Sequence, residues 1–151
     1  MVLHLATDHA GFEHKETVSL WLQAEGYTVV DQGAYTLNPE DDFTDYIALA
    51  AQAVSANPLE TKAIIFGGSG QGEAMLANRY PGVRAAVFYG GEATIPVLSR
   101  QHNNSNIISI GARFVDINLT KKIIWDWLQA EPLSDEKYQR RNKKLDDIFK
   151  L

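Results

Sequence analysis

Short apolar runs alternate with longer amphipathic segments along the chain, and this alternation constrains the fold more than any other feature. The runs are short and rich in β-branched residues, as buried strands are. They are Val2–Ala6, Tyr27–Val30, Ala63–Phe66, Arg84–Phe88 and Asn106–Ile110. Helical spacing predicts helices over Glu13–Ala24, Phe43–Val54, Glu73–Asn78, Ala93–Arg100, Asp116–Ala130 and Ser134–Phe149. We therefore expect one α/β domain over residues 1–151, a doubly wound (Rossmann-like) five-stranded parallel sheet with a C-terminal helix.

Composition excludes several classes of function. The net charge of −5 argues against general nucleic-acid binding, which needs a basic surface. The absence of cysteine excludes disulfides, thiolate metal sites and a thiol nucleophile. Met1–Leu5 lacks the features of a signal peptide, and no apolar run reaches the ~18 residues that span a membrane. The sequence predicts a cytoplasmic protein with no membrane or nucleic-acid partner.

The first predicted strand ends in a carboxylate beside an imidazole, Asp8 and His9. Ligands of doubly wound sheets bind at the carboxyl ends of strands, and a helix N-terminus favours anions. His9 is suited to bind a phosphate there, and Asp8 to bind sugar hydroxyls. Asp8 is equally suited to be a helix cap alone.

The third predicted strand runs into Gly67-Gly68-Ser69-Gly70-Gln71-Gly72-Glu73, with four glycines in six positions. Exposed N–H groups in such a turn form an anion-binding concavity. The spacing matches neither a dinucleotide fingerprint nor a nucleotide P-loop. The alternative is a tight turn in which Glu73 complements the helix dipole.

Two polar clusters lie nearer the C-terminus. Arg100–Asn104 precedes the fifth strand, and Gly111–Arg113 follows it. The first is either functional or a solvated loop with Asn104 in a turn. The tail places Lys137, Arg140, Arg141 and Lys144 on one helical face, as a phosphate clamp or a solvated basic surface. The four histidines lack metal-binding spacing, so no metal site is expected.

Together these segments resemble the ribose-5-phosphate isomerase B family, which also includes galactose-6-phosphate isomerase subunits. The resemblance covers nearly the whole chain in the family's order. It is carried by Thr7–Phe12, Gly67–Glu73 with Ala77-Asn78, Pro81–Ala86, Arg100–Asn104, Gly111–Arg113 and Gln139–Arg141.

The resemblance implies aldose–ketose isomerisation of a small sugar phosphate, ribose 5-phosphate to ribulose 5-phosphate in the first instance. One family branch uses a cysteine at the position of Gly67 as the base. The other carries Gly-Gly-Ser-Gly-x-Gly-Glu, as here, which implies Glu73 as the base. Ser69 and the N–H groups of the loop would stabilise the enediolate, with Gly68, Gly70 and Gly72 as substrate-binding residues.

Further roles follow from the resemblance alone. His102 would open the sugar ring, and Asp8 and Asn103 would hold hydroxyls. The residues implied to bind the phosphate are His9, Arg113, Lys137 and Arg141. A homodimer or homotetramer is implied, with sites between subunits, a C-terminal helix of about residues 134–149 on the partner, and the segment His102–Arg113 supplied by the partner. No metal or organic cofactor is implied.

Two departures from the family leave the sugar open to four, five or six carbons. Lys137 stands where the family has arginine, with Arg140 as the alternative phosphate-binding residue, and Phe43 stands where the family has tyrosine. The alternatives are an isomerase of galactose, allose or tetrose phosphates, a non-catalytic phosphometabolite-binding module, and a purely structural or regulatory subunit that works with a different chain.

Overall fold

The computed structural model describes residues 1–150 and contains one five-stranded sheet. Its strands are β1 (Val2–Thr7), β2 (Thr28–Asp31), β3 (Lys62–Gly67), β4 (Ala85–Phe88) and β5 (Ile107–Gly111). They lie in the order β2-β1-β3-β5-β4, and each neighbouring pair is parallel. The predicted α/β fold with a five-stranded parallel sheet is confirmed.

Six α-helices connect and flank the strands. They are α1 (Phe12–Ala24), α2 (Phe43–Ala56), α3 (Gln71–Ala77), α4 (Ile95–Asn103), α5 (Ile117–Gln129) and α6 (Glu136–Asp147). Single 3-10 turns precede α1 at His9–Gly11 and follow α6 at Ile148–Lys150. Within residues 1–150, no helix has the length and apolar character to cross a membrane.

Helices cover both faces of the sheet, and each face has its own core. On one face, Val18 and Leu22 of α1 pack with Trp127 of α5. On the other, Ile47 of α2 packs with Ala77 of α3. Because both faces of β3 and β5 are covered, these strands read as continuous apolar runs in the sequence.

The helices differ from the predictions by one to three residues at their ends, and two of these differences affect the placement of site residues. α3 begins at Gln71 rather than Glu73, because Gly70 takes a left-handed conformation (φ +77°) that starts the helix directly after it. α4 continues to Asn103, so His102 lies in its last turn rather than in a loop. Asn104 ends this helix with φ +46°, a conformation that asparagine tolerates well.

The sheet has a topological switch point between β1 and β3. From β1 the chain moves outward to β2, and it then crosses back to β3 on the other side of β1. Connections leaving in opposite directions open a crevice at the carboxyl ends of these two strands. Asp8 follows β1 and Gly68 follows β3, so both lie at this crevice.

Candidate active site

Glu73 is a buried carboxyl in the first turn of α3, with 5% of its surface exposed. A Cβ placed on Gly67 would lie 1.9 Å from Glu73 Oε1, so the carboxyl group occupies the space that any other side chain at position 67 would need. Burial raises the pKa of Glu73, the charge of Asp8 adds to the effect, and a hydrogen bond from its own backbone N–H opposes it. This combination suits a group that accepts and returns a proton.

The glycine-rich loop is tied to the turn that follows β5. The N–H of Ala112 donates to Gly67 O (2.9 Å), and that of Arg113 donates to Gly68 O (3.1 Å). From beneath, Ser109 Oγ donates to Gly70 O at 2.7 Å. Ser69 is partly exposed, and its Oγ accepts only a long hydrogen bond of 3.4 Å from Gln71 N. The loop is therefore held rigidly while Ser69 remains accessible.

Asp8 caps the 3-10 turn through one carboxylate oxygen, and its other carboxylate oxygen faces His9. Its Oδ1 accepts from the N–H of Ala10 at 2.9 Å, which caps the 3-10 turn as the sequence alternative proposed. Its Oδ2 lies 3.9 Å from His9 Nδ1. The capping role thus leaves Oδ2 facing the imidazole at the crevice.

His9 is held by a residue that the sequence did not indicate. Asp41, in the loop between β2 and α2, accepts from the backbone N–H of His9 at 3.0 Å, and the same Oδ1 lies 2.7 Å from Nδ1 of the ring. The hydrogen bond to Asp41 is the main cause that raises the pKa of His9. Asp8 acts in the same direction, while partial burial and the charge of Arg113 oppose it.

Arg113 lies at the same crevice, over the glycine loop of its own chain. A Cβ on Gly68 would come within 3.2 Å of Arg113 Nη1. Its guanidinium is exposed, and its charge reaches His9. The expectation that the whole segment His102–Arg113 comes from a partner is therefore wrong at its C-terminal end, because the hydrogen bond to Gly68 O fixes Arg113 beside its own β3.

His102 and Asn103 lie away from this crevice. They occupy the last turn of α4, which leads into the amino end of β5, whereas Arg113 follows the carboxyl end. β5 alone spans about 13 Å. Within one chain these side chains therefore do not meet Glu73.

The tail residues join His102 rather than the crevice. The ring of Tyr138 stacks on that of His102, with centroids 4.4 Å apart, and Lys137 Nζ lies 4.8 Å from the Tyr138 ring. Asn142 Nδ2 donates to His102 O at 3.2 Å. Arg141 lies one turn after Lys137 and is exposed. One chain thus carries two separate groups of the predicted site residues.

Phe43 lies beside the glycine-rich loop, so the second departure from the family pattern falls within the crevice. A Cβ on Gly72 would come within 3.0 Å of its ring. The ring borders the loop that carries Glu73, where a tyrosine would add a hydroxyl.

Asp8, His9 and Asp41 bring potential metal-ligand atoms within 4.8 Å of one another. His9 Nδ1 is already engaged with Asp41, so a cation at this position would have to displace that hydrogen bond. The three form a polar cluster in which His9 is hydrogen-bonded to Asp41 and Asp8 lies 3.9 Å from the ring.

Known proteins are similar in sequence to this chain over most of its length. The family model described as Ribose/Galactose Isomerase matches residues 3–145. The chain is 33% identical over 141 residues to a ribose-5-phosphate isomerase B of Mycolicibacterium paratuberculosis, covering 93% of this chain and 87% of that protein. It is 36% identical over 129 residues to a probable ribose-5-phosphate isomerase B of Mycoplasma pneumoniae, covering 85% and 83%.

Solved structures agree with the sequence comparisons. The crystal structure of ribose-5-phosphate isomerase B from Mycoplasma genitalium with bound ribulose-5-phosphate superposes with a TM-score of 0.93 at 32% identity, covering 99% of this chain and 96% of that one. The ribose-5-phosphate isomerase B of Clostridium thermocellum gives a TM-score of 0.91 at 32% identity, covering 99% and 98%.

Proposed function

The chain belongs to the Ribose/Galactose Isomerase family, and from this premise we propose that it interconverts ribose 5-phosphate and ribulose 5-phosphate. The observation that carries the proposal is the buried Glu73 beside a rigid glycine loop at the switch point of the sheet. A similar chain, with a TM-score of 0.93, was solved with ribulose-5-phosphate. Since a sugar phosphate is charged and does not cross membranes freely, we place the reaction in the cytoplasm.

Glu73 is the base in this proposal. It removes the proton from the carbon next to the carbonyl and returns it to the neighbouring carbon, while a hydroxyl proton moves from one enediolate oxygen to the other, so that aldose and ketose interconvert. The raised pKa of Glu73 brings its proton affinity closer to that needed for transfer in both directions. Its carboxyl group fills the space beside Gly67, where the other family branch would place its cysteine.

The glycine loop supports the second requirement, stabilisation of the enediolate oxygen. Backbone N–H groups between Gly68 and Gly72, with the accessible Ser69 hydroxyl, are held in place by the turn after β5. Donors fixed before the reaction need no reorganisation as charge develops. Asp8 Oδ2 is available to hold a sugar hydroxyl.

Two cations at the same crevice bind the phosphate. His9 and Arg113 lie close enough for the charge of Arg113 to lower the pKa of His9, and Arg113 is exposed. A phosphate dianion between these two positive groups offsets their mutual repulsion, so the pair favours phosphate binding.

The remaining residues act from a second subunit. His102, Asn103, Lys137 and Arg141 lie at the other end of the sheet, so they reach a crevice only on a neighbouring copy. No residue of α6 is buried in the single chain, although Leu145, Ile148 and Phe149 at its end are apolar. We propose a homodimer, or a tetramer built from it, in which the tail covers the partner and completes its site.

An isomerase assay of the purified chain with EDTA present tests the activity. We expect turnover of ribose 5-phosphate, measured as ribulose 5-phosphate formed, and weaker or no turnover of erythrose 4-phosphate, allose 6-phosphate and galactose 6-phosphate. A higher rate with a four- or six-carbon sugar would reject the substrate but keep the reaction. No turnover of any of the four by an assembled oligomer would reject the isomerase proposal and favour a binding role.

A further inference from the structure

Asp41 contacts His9 from a different part of the chain and at two points. Its Oδ1 accepts from the backbone N–H of His9 (3.0 Å) and lies 2.7 Å from ring Nδ1. The Asp41 side chain is 4% exposed, whereas that of His9 is 29% exposed. A buried carboxylate therefore fixes both the backbone and the ring of a histidine that still faces solvent.

This geometry determines which ring nitrogen serves a ligand. An ionised carboxylate only accepts hydrogen bonds, so the hydrogen of the His9–Asp41 contact must lie on Nδ1. Nε2 is then the ring nitrogen left for a ligand. A neutral ring presents Nε2 as an acceptor, and an imidazolium presents it as a charged donor, which is the form that binds a phosphate.

The arrangement favours the charged form of His9. Asp41 Oδ2 is buried and has no hydrogen-bond partner within residues 1–150, so only Oδ1 compensates for removing this carboxylate from water. The ionised groups that face His9 are Asp41, Asp8 and Arg113. Two are anions and one is a cation, and the closest is Asp41.

We propose that Asp41 is a positioning residue: it points Nε2 of His9 toward the phosphate of the substrate and holds the ring as an imidazolium. The assignment rests on the proposed function only for the identity of the anion. The direction of the titration agrees, since the hydrogen bond to Asp41 raises the pKa of His9 above 6.5. The contribution of His9 to substrate affinity is then full below that pH and falls as the pH rises through the raised pKa.

Asp41→Asn tests the role, with Asp42→Asn as the matched control. Asparagine keeps the size and an accepting oxygen but removes the charge. Asp42 is the next residue, is exposed, and makes no capping hydrogen bond through its side chain in the described chain. NMR of the ring nitrogens, with His9→Gln used to assign the signals, reports the pKa and tautomer of His9. Titration with inorganic phosphate reports the affinity.

In the wild-type chain we expect the pKa of His9 to lie above 6.5. At a pH high enough to make the ring neutral, its one remaining N–H should be on Nδ1. In Asp41→Asn the pKa of His9 should fall, because the negative charge that stabilises the imidazolium is removed. At a pH above both pKa values, each unit by which the pKa falls cuts the imidazolium fraction tenfold. The affinity for phosphate should then fall, and KM should rise, by about five- to tenfold at pH 8 and by less than about twofold at pH 6. The change in kcat should be smaller. Asp42→Asn should match the wild type.

Two results would overturn the proposal: an unchanged His9 titration in Asp41→Asn, or a wild-type ring protonated on Nε2 when neutral. The second measurement needs no variant, so it holds even if Asp41→Asn folds poorly. If the wild-type chain isomerises no sugar phosphate, yet Asp41→Asn still lowers both the pKa of His9 and the phosphate affinity, then the proposed function fails and the role of Asp41 stands.

Discussion

At the scale of single residues, Gly67 is required because the Glu73 carboxyl group lies where its side chain would be. A Cβ there would lie 1.9 Å from Oε1 and 2.1 Å from Cδ of Glu73. These atoms end a flexible side chain, so Gly67→Ala should displace the proposed base at little cost to folding. A shift of about 1 Å in a catalytic group lowers turnover by about a hundredfold, and we expect that loss in kcat with an unchanged urea midpoint.

The double variant is the control for this interpretation. If Gly67→Ala acts only through Glu73, then adding it to Glu73→Gln should cost little further turnover, because the proposed base is already absent. Additive losses would show that Gly67 acts in some other way, such as by setting the path of the loop.

Glu73→Gln should separate activity from stability. A carboxyl whose pKa is raised in the folded state binds its proton more tightly there, so the fold loses stability as the pH rises from 4.5 through the raised pKa. The amide carries no such penalty, so at pH 7 the variant should melt at a higher temperature while kcat falls at least about a hundredfold. Glu60→Gln, at an exposed carboxyl, should change neither quantity. Near-normal turnover by Glu73→Gln would reject Glu73 as the base.

At the scale of elements, Lys15 fastens α1 to the loop that carries Asp41. It is fully buried, and its Nζ donates to both Asp31 carboxylate oxygens at 2.6 Å and to Ala34 O at 2.8 Å. The same loop bonds to the end of β1, where Thr7 N donates to Gly33 O and Ala34 N to Thr7 O, each at 2.8 Å. Helix, strand and loop are thus joined beside the crevice.

Lys15→Met should destabilise the fold, because it leaves Asp31 Oδ2 and Ala34 O without their donor, while Asp31 Oδ1 keeps only the N–H of Gly33. Removing one member of a fully buried pair costs 3–5 kcal/mol, but Asp31 is partly exposed, so we expect about 2 kcal/mol in urea unfolding. Lys122→Met removes an exposed lysine paired with Asp126 on one helix and should cost less than about 0.5 kcal/mol. Equal losses in the two variants would contradict the anchoring role of Lys15.

These contacts mark what the sequence could predict and what it could not. Strands such as β3 and β5 were predicted to within a residue, because both faces are buried and their apolar runs are continuous. Glu73 and Asp8 could be found because strand ends predict where ligands bind. The pairing of His9 with Asp41 could not, since it depends on how a polar loop between β2 and α2 folds back, and no pattern in Glu40–Asp42 indicates that.

At the scale of the whole molecule, the two groups of site residues lie too far apart to serve one reaction within a single chain. Asp8, His9, Glu73 and Arg113 meet at the carboxyl end of the sheet. His102 lies with the tail, under Tyr138. In the proposed two-fold dimer, the crevice of each subunit would meet the His102 group of the other subunit, which would give two complete sites.

Mixed dimers test this arrangement directly. Glu73→Gln and His102→Ala damage different halves, so each homodimer should be inactive, whereas a dimer with one chain of each has one intact site. Purified through two different affinity tags, it should recover roughly half of the wild-type turnover. A mixed dimer of Glu73→Gln with Asp8→Ala should recover none, because both changes fall in the same half and every site keeps one of them. If the first pair also recovers none, His102 does not complete the partner's site, and the distance between the halves within one chain would need another explanation.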